Sequence, residues 1–280
     1  MRCCLLLLWI ALPVAANPQI TVQLPGQATM DFVWIEAGSF TMGMTAEHVA
    51  RLGVILGGPF ITDARAAPQM TAVIDTGFYL AKYEVTQQQW RAVSADIPWD
   101  TVDADDLPAT KVSRAAADRL VAVLNERTTG GAYRLPTDAE WEYANRAGTT
   151  SLWYFGDEVS GLSDNAWYRD LTGPQPVGTK PGNPWGLHDM HGNVEEWTSD
   201  AWSSSGPYAS CTGVTRGGHF AAGKGHGYLS TLPFMRQPKG CADFADDLPD
   251  DLFGAGLRLV FIPAGTTAIA QDTWGSVKYR

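Results

Sequence analysis

The segment Asp189-Met-His-Gly-Asn-Val-Glu-Glu196 places three carboxylates, an amide and a turn glycine within eight positions. That density of hard oxygens suits calcium, which takes about six to eight ligands from carboxylates, amides and backbone carbonyls. Glycine at 192 lets the backbone turn carbonyls inward without a Cβ clash. The same residues also suit a tight turn stapled by Trp197, with Glu196 paired to a base such as Arg258. His188 and His191 read as packing or hydrogen-bonding residues, because nitrogen is a poor calcium ligand.

A second group lies further on. His219 and His226 stand seven residues apart in a glycine-rich loop, with Lys224 between them. Two imidazoles can bind copper, iron or zinc, or they can be hydrogen-bonded surface groups. The run Asp243-Phe-Ala-Asp-Asp-Leu-Pro-Asp-Asp251 reads as a solvated acidic loop, or as an edge that selects cations. No Ser-His-Asp arrangement, phosphate loop or zinc spacing is present.

Residues 1–16 carry Arg2 ahead of a short apolar run and end on Val14-Ala15-Ala16. They read as a secretory signal cleaved after Ala16, being too short for a comfortable membrane span. A periplasmic or secreted protein follows, with no membrane segment in the mature form. Loss of Arg2 takes the formal charge from −10 to −11. That charge argues against nucleic acid or an anionic membrane as partner. Cys211 and Cys241 remain, and an oxidising compartment favours a disulfide between them over two reactive thiols. Closing a loop of about 30 residues is worth roughly 3–4 kcal/mol in the chain-entropy model.

The elements that must position these groups are short. Residues 32–43 read as a strand ending in a turn, Thr45 to Leu56 as a helix, and Phe78 to Val85 as another strand. Thr86 with Gln89 forms a capping box, and Trp90 and Val93 lie on the inner face of the helix it starts. Ser113 caps a helix over 113–127 that buries Ala116, Leu120 and Leu124, and Gly130-Gly131 stops it. Thr137 and Glu140 form a second capping box for a helix through Ala147, ended by Gly148. Gly256-Leu-Arg-Leu-Val-Phe261 reads as a closing strand. The result is an α+β domain with limited regular structure, undivided by linker or repeat, with tryptophans spread throughout.

Taken in order, these landmarks resemble the formylglycine-generating enzymes, also called sulfatase-modifying factors. The resemblance rests on Ala81-Lys-Tyr-Glu-Val-Thr86, Arg134-Leu-Pro-Thr-Asp-Ala-Glu-Trp-Glu-Tyr-Ala144, Gly192-Asn-Val-Glu-Glu-Trp197, Arg216-Gly-Gly218 and Gly256-Leu-Arg258, and it covers residues 30–263. It implies an elaborated C-type-lectin-like fold. It also implies calcium held by Asp189, the carbonyls of Gly192 and Val194, and Glu196. A second calcium site would use Asn165 and the carbonyl of Ala166, with Asp170 as a substitute ligand in a shortened region.

The family oxidises a substrate cysteine with copper held by two cysteines. The aligned positions here are Ala222 and Gly227, neither of which has a donor atom. Soft thiolates are what hold Cu(I), so the copper–thiolate route is not expected. The redox metal, if any, is left open, with His219 and His226 as candidates. Exported bacterial relatives without the cysteine pair act in siderophore maturation, and this chain resembles them in its signal peptide and missing cysteines. The resemblance thus implies either a cysteine-independent oxidation of a small or peptidic substrate, or a calcium-stabilised module. The module would bind a small molecule, a peptide or a glycan through aromatics such as Trp153, Trp167, Trp185 and Trp202. The iron-binding helical domain of the related sulfoxide synthases has no counterpart here.

Overall fold

The computed structural model describes residues 17–58, 69–100, 102–169, 173–201, 211, 213–221, 227–239 and 255–265. Strands β1 (Gln19–Gln23) and β2 (Thr29–Ile35) open the chain as an antiparallel pair. Next come β3 (Gly38–Met42), α1 (Ala46–Leu56), β4 (Met70–Ile74) and β5 (Phe78–Ala81). Helices α2 (Gln87–Val93) and α3 (Arg114–Arg127) precede β6 (Gly131–Arg134), α4 (Asp138–Arg146) and the short α5 (Leu162–Asn165). Among the described residues that follow, the strands are short: β7 (Glu196–Trp197), β8 (Gly213–Arg216), β9 (Gln237–Lys239), β10 (Gly256–Leu257) and β11 (Val260–Pro263).

The described strands form three sheets. An antiparallel sheet runs β1-β2-β5-β11-β6, a smaller one runs β10-β7-β8-β9, and β3 pairs with β4. The closing strand β11 sits between β5 and β6, so the last described residues lock the first half of the chain. Side chains alternate across the large sheet, as a pleated strand requires. Phe32, Ala81, Tyr133 and Phe261 join one core with α2 and α3. Val33, Leu80 and Val260 join a second with Trp141 and Ala144 of α4.

The helix starts form as their side chains dictate. Thr86 and Thr137 each accept from the backbone of Gln89 and Glu140, whose side chains reach back to the cap. In α1 the third member of the box is His48, whose Nδ1 accepts from the amide of Thr45. The helix ends depart from expectation in one place: α3 stops at Thr128 in extended backbone, and Gly131 begins β6. The glycine there serves the sheet, since a Cβ at 131 would lie 2.4 Å from the carbonyl oxygen of Ile262.

Three expected strands are also revised. Residues 32–43 form two strands in different sheets, broken at the exposed Glu36 and Ala37. The strand from Phe78 ends at Ala81, because Glu84 turns inward to bond the 193–194 loop. Residues 256–261 divide between the two larger sheets, with Arg258 buried at the switch.

Candidate functional site

The oxygen-rich segment forms a buried loop ahead of β7. Asp189, Gly192 and Asn193 all adopt positive φ, at 57°, 91° and 59°. Gly192 is required by contact as well as conformation, since a Cβ there would meet the carbonyl oxygen of Trp167 at 2.1 Å. The amide of Gly192 donates to Gly217 O (2.8 Å) and that of Asn193 to Trp167 O (2.7 Å). The loop is therefore tied to both the Trp167 turn and the Arg216-Gly-Gly218 turn.

Three buried carboxylates, Glu84, Asp189 and Glu196, gather here around the guanidinium of Arg258. Glu196 is engaged on both oxygens: Arg258 Nη2 donates to Oε1 at 2.8 Å, and Trp141 Nε1 donates to Oε2 at 2.6 Å. Asp189 Oδ2 accepts from the amide of Gly178 at 2.6 Å, whereas Asp189 Oδ1 is buried with no hydrogen-bond partner. Burial pushes Asp189 up to about 6, against the pull of the Gly178 amide and Arg258. Burial also raises Glu84, and the charges of Asp189 and Glu196 raise it further.

Such a site fits a hard cation. An orphaned carboxylate oxygen in a dry environment is costly without a partner, and a cation beside it would offset the burial that raises Asp189 and Glu84. Asp189 would hold calcium with the carbonyls of Gly192 and Val194, and Glu196 stands beside them, already paired. Bound calcium would supply that positive charge. Among the described residues no three His, Cys, Asp or Glu side chains converge as a metal cluster, so backbone carbonyls would carry much of the coordination. At the second expected site, Asn165 ends α5 with its side-chain Nδ2 donating to Gly161 O at 2.8 Å, and Ala166 is buried. Asp170 lies outside the described residues.

The turn after β8 leads toward positions 222–227. Arg216 is fully buried and bonds Asp138, Glu142 and the carbonyl of Pro233. Gly218 (φ 72°) packs so closely that a Cβ would lie 2.8 Å from Ser230 Oγ. His219 follows. Its Nδ1 accepts from the amide of Ala221 at 3.2 Å, which leaves the proton on Nε2, 4.0 Å from Glu195 Oε1. Glu195 Oε2 also accepts from Thr215 Oγ1 (2.8 Å) and Lys239 Nζ (3.1 Å).

Burial lowers the His219 pKa, partly opposed by the Glu195 charge, so the ring is neutral near pH 7. For Glu195, burial acts upward most strongly, but Lys239, His219 and Thr215 together outweigh it and hold the carboxyl below its ordinary value. Cys211 is buried and disulfide-bonded. Gly227 opens a 3-10 turn, Gly227–Thr231. Ala222, His226, Cys241, Trp202, the 243–251 acidic run and residues 1–16 lie outside the described residues.

The profile of the sulfatase-modifying factor enzyme 1-like domain matches residues 19–261. The chain belongs to this family. It is 30% identical over 198 residues to a protein named chaperone protein LppX of Paenibacillus barcinonensis, covering 52% of this chain and 70% of that one. It is 47% identical over 79 residues to the formylglycine-generating enzyme of Mycobacterium tuberculosis, a match spanning 24% of this chain and 26% of that enzyme. Among solved structures, PvdO from Pseudomonas aeruginosa superposes with a TM-score of 0.66 at 21% identity, over 88% of this chain and 99% of that one. The mixed α+β architecture is thus that of the sulfatase-modifying factors.

Alanine at 222 and glycine at 227 offer no side-chain donor to a metal. His219 is brought against Glu195, which also holds Thr215 and Lys239. Sequence reading missed Glu84, Glu195 and Lys239 as site residues. Glu84 lay inside the quoted Ala81–Thr86 motif and Glu195 beside Glu196, so the signal was proximity to motifs. Lys239 carried none.

Proposed function

We propose that this protein has exchanged copper–thiolate oxidation for binding of a peptidic or small-molecule ligand. One observation carries this reading. By the resemblance, the thiolate positions of the formylglycine generators are taken here by Ala222 and Gly227, and beside them His219 accepts from the Ala221 amide while Glu195 holds Thr215 and Lys239. A relative at 30% identity that bears the name chaperone supports a polypeptide ligand. The test is calorimetry against peptides and glycans, paired with metal analysis and incubation with a cysteine peptide and copper. Binding without stoichiometric copper or aldehyde is expected. Aldehyde formation would overturn the reading.

A second reading, cysteine-independent oxidation, is favoured by the His219 ring itself. It is neutral, its tautomer is set by the Ala221 amide, and a carboxylate stands beside Nε2. An imidazole held in that tautomer presents Nε2–H as a proton donor. Oxygen consumption lost in His219→Ala would support it, and full activity in that variant would remove it.

A further inference from the structure

Strand β1 is the outer strand of the large sheet and pairs on one side only, with β2. The amide of Trp34 donates to Pro18 O at 2.7 Å, which fixes the alternation along that pair. Ile20 and Val22 then share their backbone groups with β2, while the N–H and C=O of Gln19, Thr21 and Gln23 face away from it. The strand carries no charge, proline or bulge, the usual devices that stop an outer strand from pairing again.

The end of β1 runs into a cavity of about 380 Å³, within the range of about 300–1,000 Å³ typical of ligand sites. Val22, Leu24, Pro25 and Phe261 give it an apolar wall, and the end of α3 closes the other side with Arg127 and Thr128. Arg127 is the one charged residue among those that line it. Its Nη1 donates to Val93 O at 3.2 Å, which ties the guanidinium to the end of α2, and no carboxylate of the described residues pairs with it. A polar group also stands unmet beside the wall. The Tyr133 hydroxyl is buried without a hydrogen-bond partner, and its ring lies 5.0 Å from that of Phe261. Burial raises the Tyr133 pKa, and Thr128 is close enough to oppose that rise.

We propose that this corner binds the C-terminal residue of an extended polypeptide. The backbone of the ligand lies alongside β1, its last side chain, an apolar one, fills the cavity, and its carboxylate meets Arg127. Added strands draw affinity from backbone hydrogen bonds and specificity from side-chain pockets. A guanidinium matches a carboxylate with two parallel N–H donors. No residue of the turn after β8 or of the loop ahead of β7 takes part, so aldehyde formation by this protein would leave the site standing.

The test is fluorescence anisotropy of the full chain with a labelled hexapeptide of alternating threonine and valine that ends in phenylalanine. The free acid is compared with its C-terminal amide, and N-acetylphenylalanine stands for a small acid. Wild type should favour the acid about tenfold or more, as a charge-assisted bond provides, and Arg127→Gln should abolish that preference. Thr21→Pro removes an outward N–H and should weaken the hexapeptide by a similar factor. Thr21→Val loses the same side-chain bond to Asp31 but keeps the N–H, and should bind as wild type does.

A hexapeptide that does not bind, or equal binding of acid and amide by wild type, overturns the proposal, as does a preference that survives Arg127→Gln. Unchanged binding in Thr21→Pro, or N-acetylphenylalanine as tight as the hexapeptide, overturns the polypeptide and makes this a small-acid site. Should Thr21→Pro fail to fold, the acid and amide compared on wild type and Arg127→Gln still decide.

Discussion

Glu196 and Arg258 meet as a fully buried pair, with the Arg258 Nε 3.1 Å and 3.0 Å from the two carboxylate oxygens and Nη2 2.8 Å from Oε1. Arg258 also donates to the carbonyls of Ala81 (2.9 Å) and His188 (2.8 Å). One side chain thereby joins the large sheet, the small sheet and the loop ahead of β7.

Removing one partner of a buried pair leaves the other charge without compensation, at about 3–5 kcal/mol. Arg258→Met should therefore lower the urea-unfolding free energy by that amount. A double Glu196→Leu, Arg258→Met variant should be less damaged than Arg258→Met, since it buries no lone charge. A double variant worse than the single would show that the pair does more than balance charge.

Gly192→Ala should cost more than about 2 kcal/mol, because the left-handed penalty is joined by a backbone collision. Gly57 offers the control. Its φ is 68° but nothing lies within 4 Å of a Cβ there, so Gly57→Ala should cost only about 1 kcal/mol. Equal thermal shifts for the two variants would refute the steric argument.

His48 makes stability depend on pH. Its Nδ1 accepts from the Thr45 amide and its Nε2 donates to Thr150 O, so the neutral ring is the one the fold uses. Burial lowers its pKa from the ordinary 6.5, against the pull of Thr150 O. For a base whose folded pKa is depressed, the stabilisation is whole above the unfolded value and is lost as pH falls below about 6.5 toward the folded value. Urea midpoints from pH 8 to 5 should fall more steeply for wild type than for His48→Gln, which keeps a capping-box side chain but does not titrate. Parallel profiles would rule His48 out.

Glu195 ties Thr215 of β8 to Lys239 of β9 and faces His219. Glu195→Gln removes the charge that Thr215, Lys239 and His219 share, and a loss of about 1–3 kcal/mol is expected. Amide exchange should rise first at the β8–β9 ladder. Faster exchange confined to the large sheet would contradict this placement.

The local structure was legible in the chain wherever a side chain bonds within a few residues. Thr86 with Gln89, Thr137 with Glu140, and Ser113 before Ala116 each cap their helices as read. Trp90, Leu120 and Trp141 are buried as their helical spacing required. The strand ends were not legible, because nothing near Ala81 in sequence shows that Glu84 must turn inward toward a loop 109 residues away.

By itself the sequence determined the family, through motifs whose order needs no coordinates, and the absence of sulfur at 222 and 227, which is a matter of composition. Glu196 with Arg258 was one of the two readings its segment allowed, and the fold makes that pair. The contacts of Glu84 with Asn193 and of His219 with Glu195 were decided only by the tertiary structure. The reason is physical: a buried ion pair depends on distance and desolvation, and chain spacing encodes neither once strands from distant segments share a sheet.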